Sequence, residues 1–265
     1  MKFAVVEGQL REAAPDLSAE CQACGAAMIA RCGRVRVWHW AHRGARNCDP
    51  WWEPETAWHR AWKNHFPKGW QEIIHPSESG EKHIADVKTE SGVVLEFQHS
   101  FLREDEREAR EKFYPKMVWV VNGRRRKLDK KQFFACFDAR RVVNGEPRIV
   151  PVLWKEGALL RDWGGSRVPV YFDFRDSEPE DAVRFDAPTL WRLNPCDPNG
   201  KAYLAAVPKA VFLRAHLNGE AFEETCREVV ERAAADYLKQ LAPRSRAPTD
   251  FERYLAKRQL KRRRF

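Results

Sequence analysis

Between residues 70 and 122 the chain runs through short apolar segments divided by polar breaks, a pattern that predicts strands more than helices. Residues 84–88 and 93–99 are rich in apolar and β-branched side chains, and Glu90-Ser91-Gly92 between them is a polar break ending in glycine. Two strands joined by a short turn follow from this pattern. Along the second, Val93, Leu95 and Phe97 share one face while Val94, Glu96 and Gln98 share the other. A strand apolar on both faces belongs inside a domain. Asp86 and Glu96, on neighbouring strands, then need a cationic counterpart, because burying an unpaired carboxylate costs several kcal/mol, roughly.

Around this hairpin the pattern predicts a strand at residues 70–75, a turn at 76–80, a charged helix at 102–114 and a strand at 117–121 closed by Asn122-Gly123. Upstream, a helix is expected from just after Pro54 to about residue 65, before Pro67. On it Glu55, His59, Trp62 and Phe66 form one stripe, with Ala57, Arg60 and Asn64 pointing away. The order is α-β-β-β-α-β. Seven of the eleven tryptophans lie between Trp38 and Trp70, and packing of the helix on the sheet is the preferred account of them.

Outside this core the signals thin. A strand is expected at residues 3–6, and strands again at 149–154, 168–174 and 190–193. Residues 171–174 read as a sheet edge, with Asp173 on the surface or in a turn. The basic run 124–131 reads as a solvated loop. Helices are expected at 208–217 and 220–241, then a linker at 243–248 and an amphipathic basic helix at 251–265. Lys261, Arg262 and Arg263 at its end offer non-specific phosphate contacts.

Composition narrows the partner. The 265 residues carry a net charge of +9 with a pI near 9.3, which favours polyanions and leaves membrane surface, RNA and DNA open. No run approaches the roughly 20 apolar residues a spanning helix needs. The first residues place Glu7 where a signal peptide has its apolar core, so a cytoplasmic protein is expected. Seven cysteines then suggest metal ligands or free thiols rather than disulfides. Cys21-Gln22-Ala23-Cys24-Gly25 has the spacing of a zinc knuckle, and His39, His42 and Cys48 follow within 28 positions of Cys21. The expected structural Zn²⁺ ligands are Cys21, Cys24, His42 and Cys48, with His39 as a substitute for either of the last two. Cys32 reads as packing, and Cys136, Cys196 and Cys226 carry no spacing signal. Repeats, a phosphate loop and a Ser-His-Asp signature are all missing from the pattern.

Together the Cys-x-x-Cys, His39-x-Ala41-His42, Glu55-x-x-x-His59, Ile84-Ala85-Asp86-Val87, Glu96-Phe97-Gln98-His99-Ser100 and Arg110-x-x-Phe113-Tyr114 motifs resemble the competence protein CoiA-like family, over about residues 20–122. The resemblance implies an α+β/α/β fold with a restriction-endonuclease-like core, an αβββαβ mixed sheet of PD-(D/E)xK type. The expected parts are an N-terminal zinc module (1–50), the nuclease core (51–123), and a mixed C-terminal extension ending in helices (124–265). It also implies a DNA nuclease acting in DNA processing or recombination, as in natural transformation, with recombination proteins as further partners. By that resemblance Asp86 and Glu96 are the Mg²⁺ (or Mn²⁺) ligands and Glu55 the acid on the first core helix. Gln98 stands where lysine is usual and brings no charge, a role that Lys63, Lys88 or His59 would have to fill. Arg110 and Tyr114, on one face of the following helix, are the expected phosphate contacts or braces of the site. The alternative is a degenerate DNA-binding or recombination-mediator protein on the same fold.

Overall fold

The computed structural model describes residues 1–44, 49–51, 53–77, 80–137, 149–153, 157–175, 188–194 and 201–241. An antiparallel sheet opens the chain: β1 (Phe3–Val6), β2 (Gln9–Glu12), β3 (Ser18–Glu20), β4 (Ala27–Arg31) and β5 (His39–His42), in the order β2-β1-β3-β4-β5. It is too small to hold a thick core. Ala4, Val6, Met28 and Trp40 pack beneath it, with Ile84 of the next unit closing their cluster.

The second sheet has eight strands: β6 (Gln71–Pro76), β7 (Lys82–Lys88), β8 (Val94–Gln98), β9 (Met117–Asn122), β10 (Ile149–Leu153), β11 (Val170–Asp173), β12 (Thr189–Asn194) and β13 (Lys201–Pro208). Their order is β10-β13-β12-β11-β9-β8-β7-β6. It is a mixed sheet, parallel where β8 meets β9 and where β9 meets β11. A parallel neighbour needs a crossover, and α2 (Glu104–Phe113) supplies it between β8 and β9. With α1 (Ala57–Lys63) ahead of β6, the stretch from α1 to β9 has the expected α-β-β-β-α-β order. Every residue of β8 and β9 is buried, as strands covered on both faces must be.

One face of the sheet receives α1 and α5 (Lys209–Asn218): Trp58, Trp62, Phe66 and Phe212 pack on Leu95, Phe97, Val118 and Val120. On the other, α3 (Asp129–Ala135) and α4 (Ala158–Trp163) bring Phe133, Leu160 and Trp163 against Trp119, Val121 and Phe172. The last described helix, α6 (Phe222–Leu241), covers the β10–β13 end with Val230 and Ala234. Among the described residues no helix is long and apolar enough to cross a membrane.

Several expectations are corrected. The first core helix begins two residues later than expected, because Thr56 caps it: its hydroxyl accepts the His59 amide, while the His59 ring accepts the Thr56 amide. Arg60 does not point away but reaches Glu55 and Glu12. Strand β11 is no edge; it lies between β9 and β12. Asp173, expected at the surface, is buried and accepts both indole N–H groups of Trp58 and Trp62 at 2.8 Å. Two buried indole donors need an acceptor, and Asp173 provides one atom for both. The basic run is also not a simple solvated loop. It enters α3, and Arg125 and Arg126 are drawn onto Asp129 and Asp162. The basic helix at 251–265, with Lys261, Arg262 and Arg263, lies outside the described residues.

Candidate active site and metal group

Strands β7 and β8 pair through Lys88↔Val94 and Val87↔Leu95. One step further, side chains take over from the backbone ladder. The Asp86 amide donates to Glu96 Oε1 at 3.2 Å, and the Phe97 amide donates to Asp86 Oδ2 at 3.0 Å. The strand pair therefore sets two carboxylates against each other at the wall of a cavity of about 70 Å³. Such a space holds an ion with a few waters but not a nucleoside, since small-molecule pockets run to roughly 300 Å³ or more. Six carboxylates line it (Asp49, Glu53, Glu55, Glu72, Asp86 and Glu96), against the charges of Lys63, Arg110 and the Met1 α-ammonium. The surplus is negative.

Lys63 is the hub of this wall. Its ammonium, 4% exposed, lies 2.9 Å from Glu55, 2.9 Å from Glu72 and 3.8 Å from Asp86. Burial pulls its pKa down, but the charges of Glu72, Glu55 and Asp86 outweigh that and hold it well above its usual value. Glu72 sits at φ +51 within β6, and its carboxylate also accepts the amides of Lys2 and Phe3 at 2.6 and 2.8 Å. The small sheet is thereby tied to the cavity wall. For Glu55, burial pushes upward while Lys63 and Arg60 hold the carboxyl at about 2.

Glu53 is the other anchor. It accepts the Gln98 side-chain amide at 2.9 Å, the backbone amides of His99 and Ser100, and the Ser100 hydroxyl. His59 Nε2 stands 2.7 Å from it. Burial raises its pKa, but the His59 hydrogen bond, with Ser100 and the His99 amide, holds it at about 2. Gln98 is thus oriented by Glu53, and His59 is held between Glu53 and the Thr56 cap.

Asp86 and Glu96 behave in the opposite sense. Burial, against the pull of Lys63 and His59, raises the Asp86 carboxyl although 23% of its side chain remains exposed. Burial and the neighbouring Asp86 push Glu96 well above the usual range, despite Arg110 at 3.5 Å. These two acids are short of positive charge.

The residues expected to act together, Glu55, His59, Asp86, Glu96 and Gln98, all line this cavity, as do Arg110 and Tyr114. Arg110 and Tyr114 are buried, however. Arg110 is spent on Glu106, the Trp51 carbonyl and Glu96, so it braces the site from below. Sequence reading missed Glu53 and Glu72. Glu53 lies in an irregular Trp-Glu-Pro stretch, and apart from His59 its partners are 45 or more residues away.

A second group lies in the small sheet. Cys21, Cys24 and His42 place their ligand atoms within 4.8 Å of one another, so they can hold a metal ion. The knuckle closes because Gly25 adopts φ +71 and donates its amide to the Cys21 carbonyl at 2.8 Å. Cys24 Sγ and His42 Nε2 are 3.4 Å apart. Two ligands of one tetrahedral zinc lie roughly 3.5 Å apart by the usual bond lengths, so the donor set fits. His39, the substitute ligand, instead places Nδ1 2.9 Å from the Val37 carbonyl. Cys48 lies outside the described residues. The chain matches no protein-family model, no curated protein and no solved structure.

Proposed function

We propose that this protein is a metal-dependent DNA nuclease with a restriction-endonuclease-like core, of the CoiA-like type its motifs resemble. The observation that carries the reading is the pair Asp86 and Glu96: two adjoining carboxylates, one half-buried and one buried, both with raised proton affinity, on one cavity wall. A hard divalent cation answers that shortage of charge and favours oxygen ligands. Asp86 and Glu96 would hold Mg²⁺ or Mn²⁺, which when bound would polarise a phosphate and lower the pKa of a bound water. Lys63 fixes Asp86, Glu55 and Glu72 in place and supplies the charge that Gln98 lacks. Glu55 helps keep that lysine charged. Gln98, with its amide on Glu53, keeps its carbonyl oxygen for a water. In the small sheet, Cys21, Cys24 and His42 would hold a structural Zn²⁺, with Cys48 as the fourth ligand we assign. The expected setting is cytoplasmic DNA processing or recombination.

One observation favours a second reading, a DNA-binding protein that no longer cuts. The Gln98 amide is already committed to Glu53 and Ser100, and the Lys63 ammonium to Glu55 and Glu72. Neither is a free donor for a nucleophile. The test is cleavage of labelled single-stranded, duplex and branched DNA with Mg²⁺, Mn²⁺ or no divalent ion, beside Asp86→Ala/Glu96→Ala. Metal-dependent products that vanish in the variant support the nuclease. Tight binding without products by either protein supports the second reading.

A further inference from the structure

Of the hairpin between β4 and β5 only His42 lines the carboxylate cavity, and the hairpin's chemistry is one-sided. Residues 21–44 contain Arg31, Arg34, Arg36 and Arg43 and no aspartate or glutamate. At the tip, Arg34 and Arg36 are exposed and make no hydrogen bond or ion pair among the described residues. Between them Val35 is 96% exposed, and Trp38 beside them is 46% exposed. An exposed valine beside a half-open tryptophan leaves apolar surface in water, and the two arginines that flank the valine repel each other. A chain segment bearing both costs fits a partner that offers negative charge and flat apolar faces together.

Through the backbone of Trp38 this hairpin is fixed to the wall of the candidate active site. Arg60 of α1 donates to the Trp38 carbonyl at 2.8 Å while its Nε donates to Glu55 at 2.8 Å. Glu55 lines the cavity, as does His42 at the far end of β5. A strand of nucleic acid lying across Trp38 is therefore one side chain away from the cavity rim.

We propose that the β4–β5 hairpin grips the DNA substrate, and that the substrate is one with unpaired bases beside a duplex. Arg34 and Arg36 neutralise backbone phosphates. Trp38 stacks on an unpaired base, and Val35 wedges at the point where pairing ends, in the way apolar side chains part base steps. Blunt duplex offers the phosphates but hides the faces that Trp38 needs. This assignment rests on the nuclease reading for the identity of the substrate, while the grip itself does not depend on cleavage.

The test is fluorescence anisotropy of labelled single-stranded, blunt duplex and forked DNA across a salt series. It uses the full chain carrying Asp86→Asn/Glu96→Gln, so that nothing is cut. The parent should bind forked DNA more tightly than blunt duplex. Adding R34A/R36A should weaken binding to all three DNAs at least about tenfold at physiological salt, and should flatten the salt slope by roughly one per arginine. Trp38→Ala should leave the slope alone and remove about tenfold of the preference for the fork. Parent-like affinity and slope in R34A/R36A would overturn the proposal, as would an unchanged fork preference in Trp38→Ala. If cleavage is never seen but these losses are, the hairpin assignment stands and the nuclease reading falls.

Discussion

Two sets of carboxylates share one small cavity and titrate in opposite directions. Glu53 and Glu55 are held at about 2 because each is saturated: Glu53 by His59, Ser100 and the His99 amide, Glu55 by Lys63 and Arg60. Asp86 and Glu96 are raised: burial, helped by Glu72 for Asp86 and by the Asp86 charge for Glu96, outweighs what Lys63 and Arg110 return. The difference separates scaffold from site. A carboxylate that has its partners in place holds the fold, and one left short of charge stabilises the chain only when a cation arrives.

Substitution at the hub should have the largest effect on stability. Lys63→Met leaves Glu55 and Glu72 without their buried counter-ion and should cost about 3–5 kcal/mol of unfolding free energy, read by urea denaturation. Loss below 1 kcal/mol would mean that water, not Lys63, balances these acids. Next is Asp173→Leu, which orphans two indole N–H groups and should cost about 2–4 kcal/mol in the same assay. Trp58→Phe on that background should recover part of the loss, since one orphaned donor goes with it.

The saturated set gives a pH signature. Glu53 falls from 4.5 in the unfolded chain to about 2 in the fold, so its contribution is complete above pH 4.5 and is lost as pH falls toward 2. Glu53→Gln should flatten the melting temperature against pH across that window. The smallest effect has the opposite sign. Glu96 is raised, so its ionised form burdens the metal-free fold at neutral pH. Glu96→Gln should raise the melting temperature of the divalent-free protein by a few degrees, about 1 kcal/mol, and, if the proposed nuclease reading holds, abolish cleavage. A drop in melting temperature would place Glu96 with the scaffold.

Much of this arrangement was legible in the chain, for local reasons. The α-β-β-β-α-β order follows from alternation and breaks within short windows, and Asp86 and Glu96 stand out as acids inside apolar strands. The Cys21, Cys24 and His42 group is also a local pattern of spacing. What stayed hidden depends on partners carried by different elements. Lys63 is one of three residues that could supply the missing charge, and only the fold singles it out by surrounding it with Glu55, Glu72 and Asp86. Asp173 reads as a surface acid until two tryptophans more than a hundred residues away need an acceptor. Strand β13 was missed because Ala202, Ala205 and Ala206 favour helix locally, and pairing with β10 and β12 overrides that preference.

The central question is whether Asp86 and Glu96 bind a cation. Calorimetric titration of Mn²⁺ into the zinc-loaded protein tests this directly, run beside Asp86→Asn/Glu96→Gln and beside Glu53→Gln. A cation site there gives saturable binding by the parent and by Glu53→Gln, and none by the double variant. Equal binding by the double variant, or none by the parent, would contradict it.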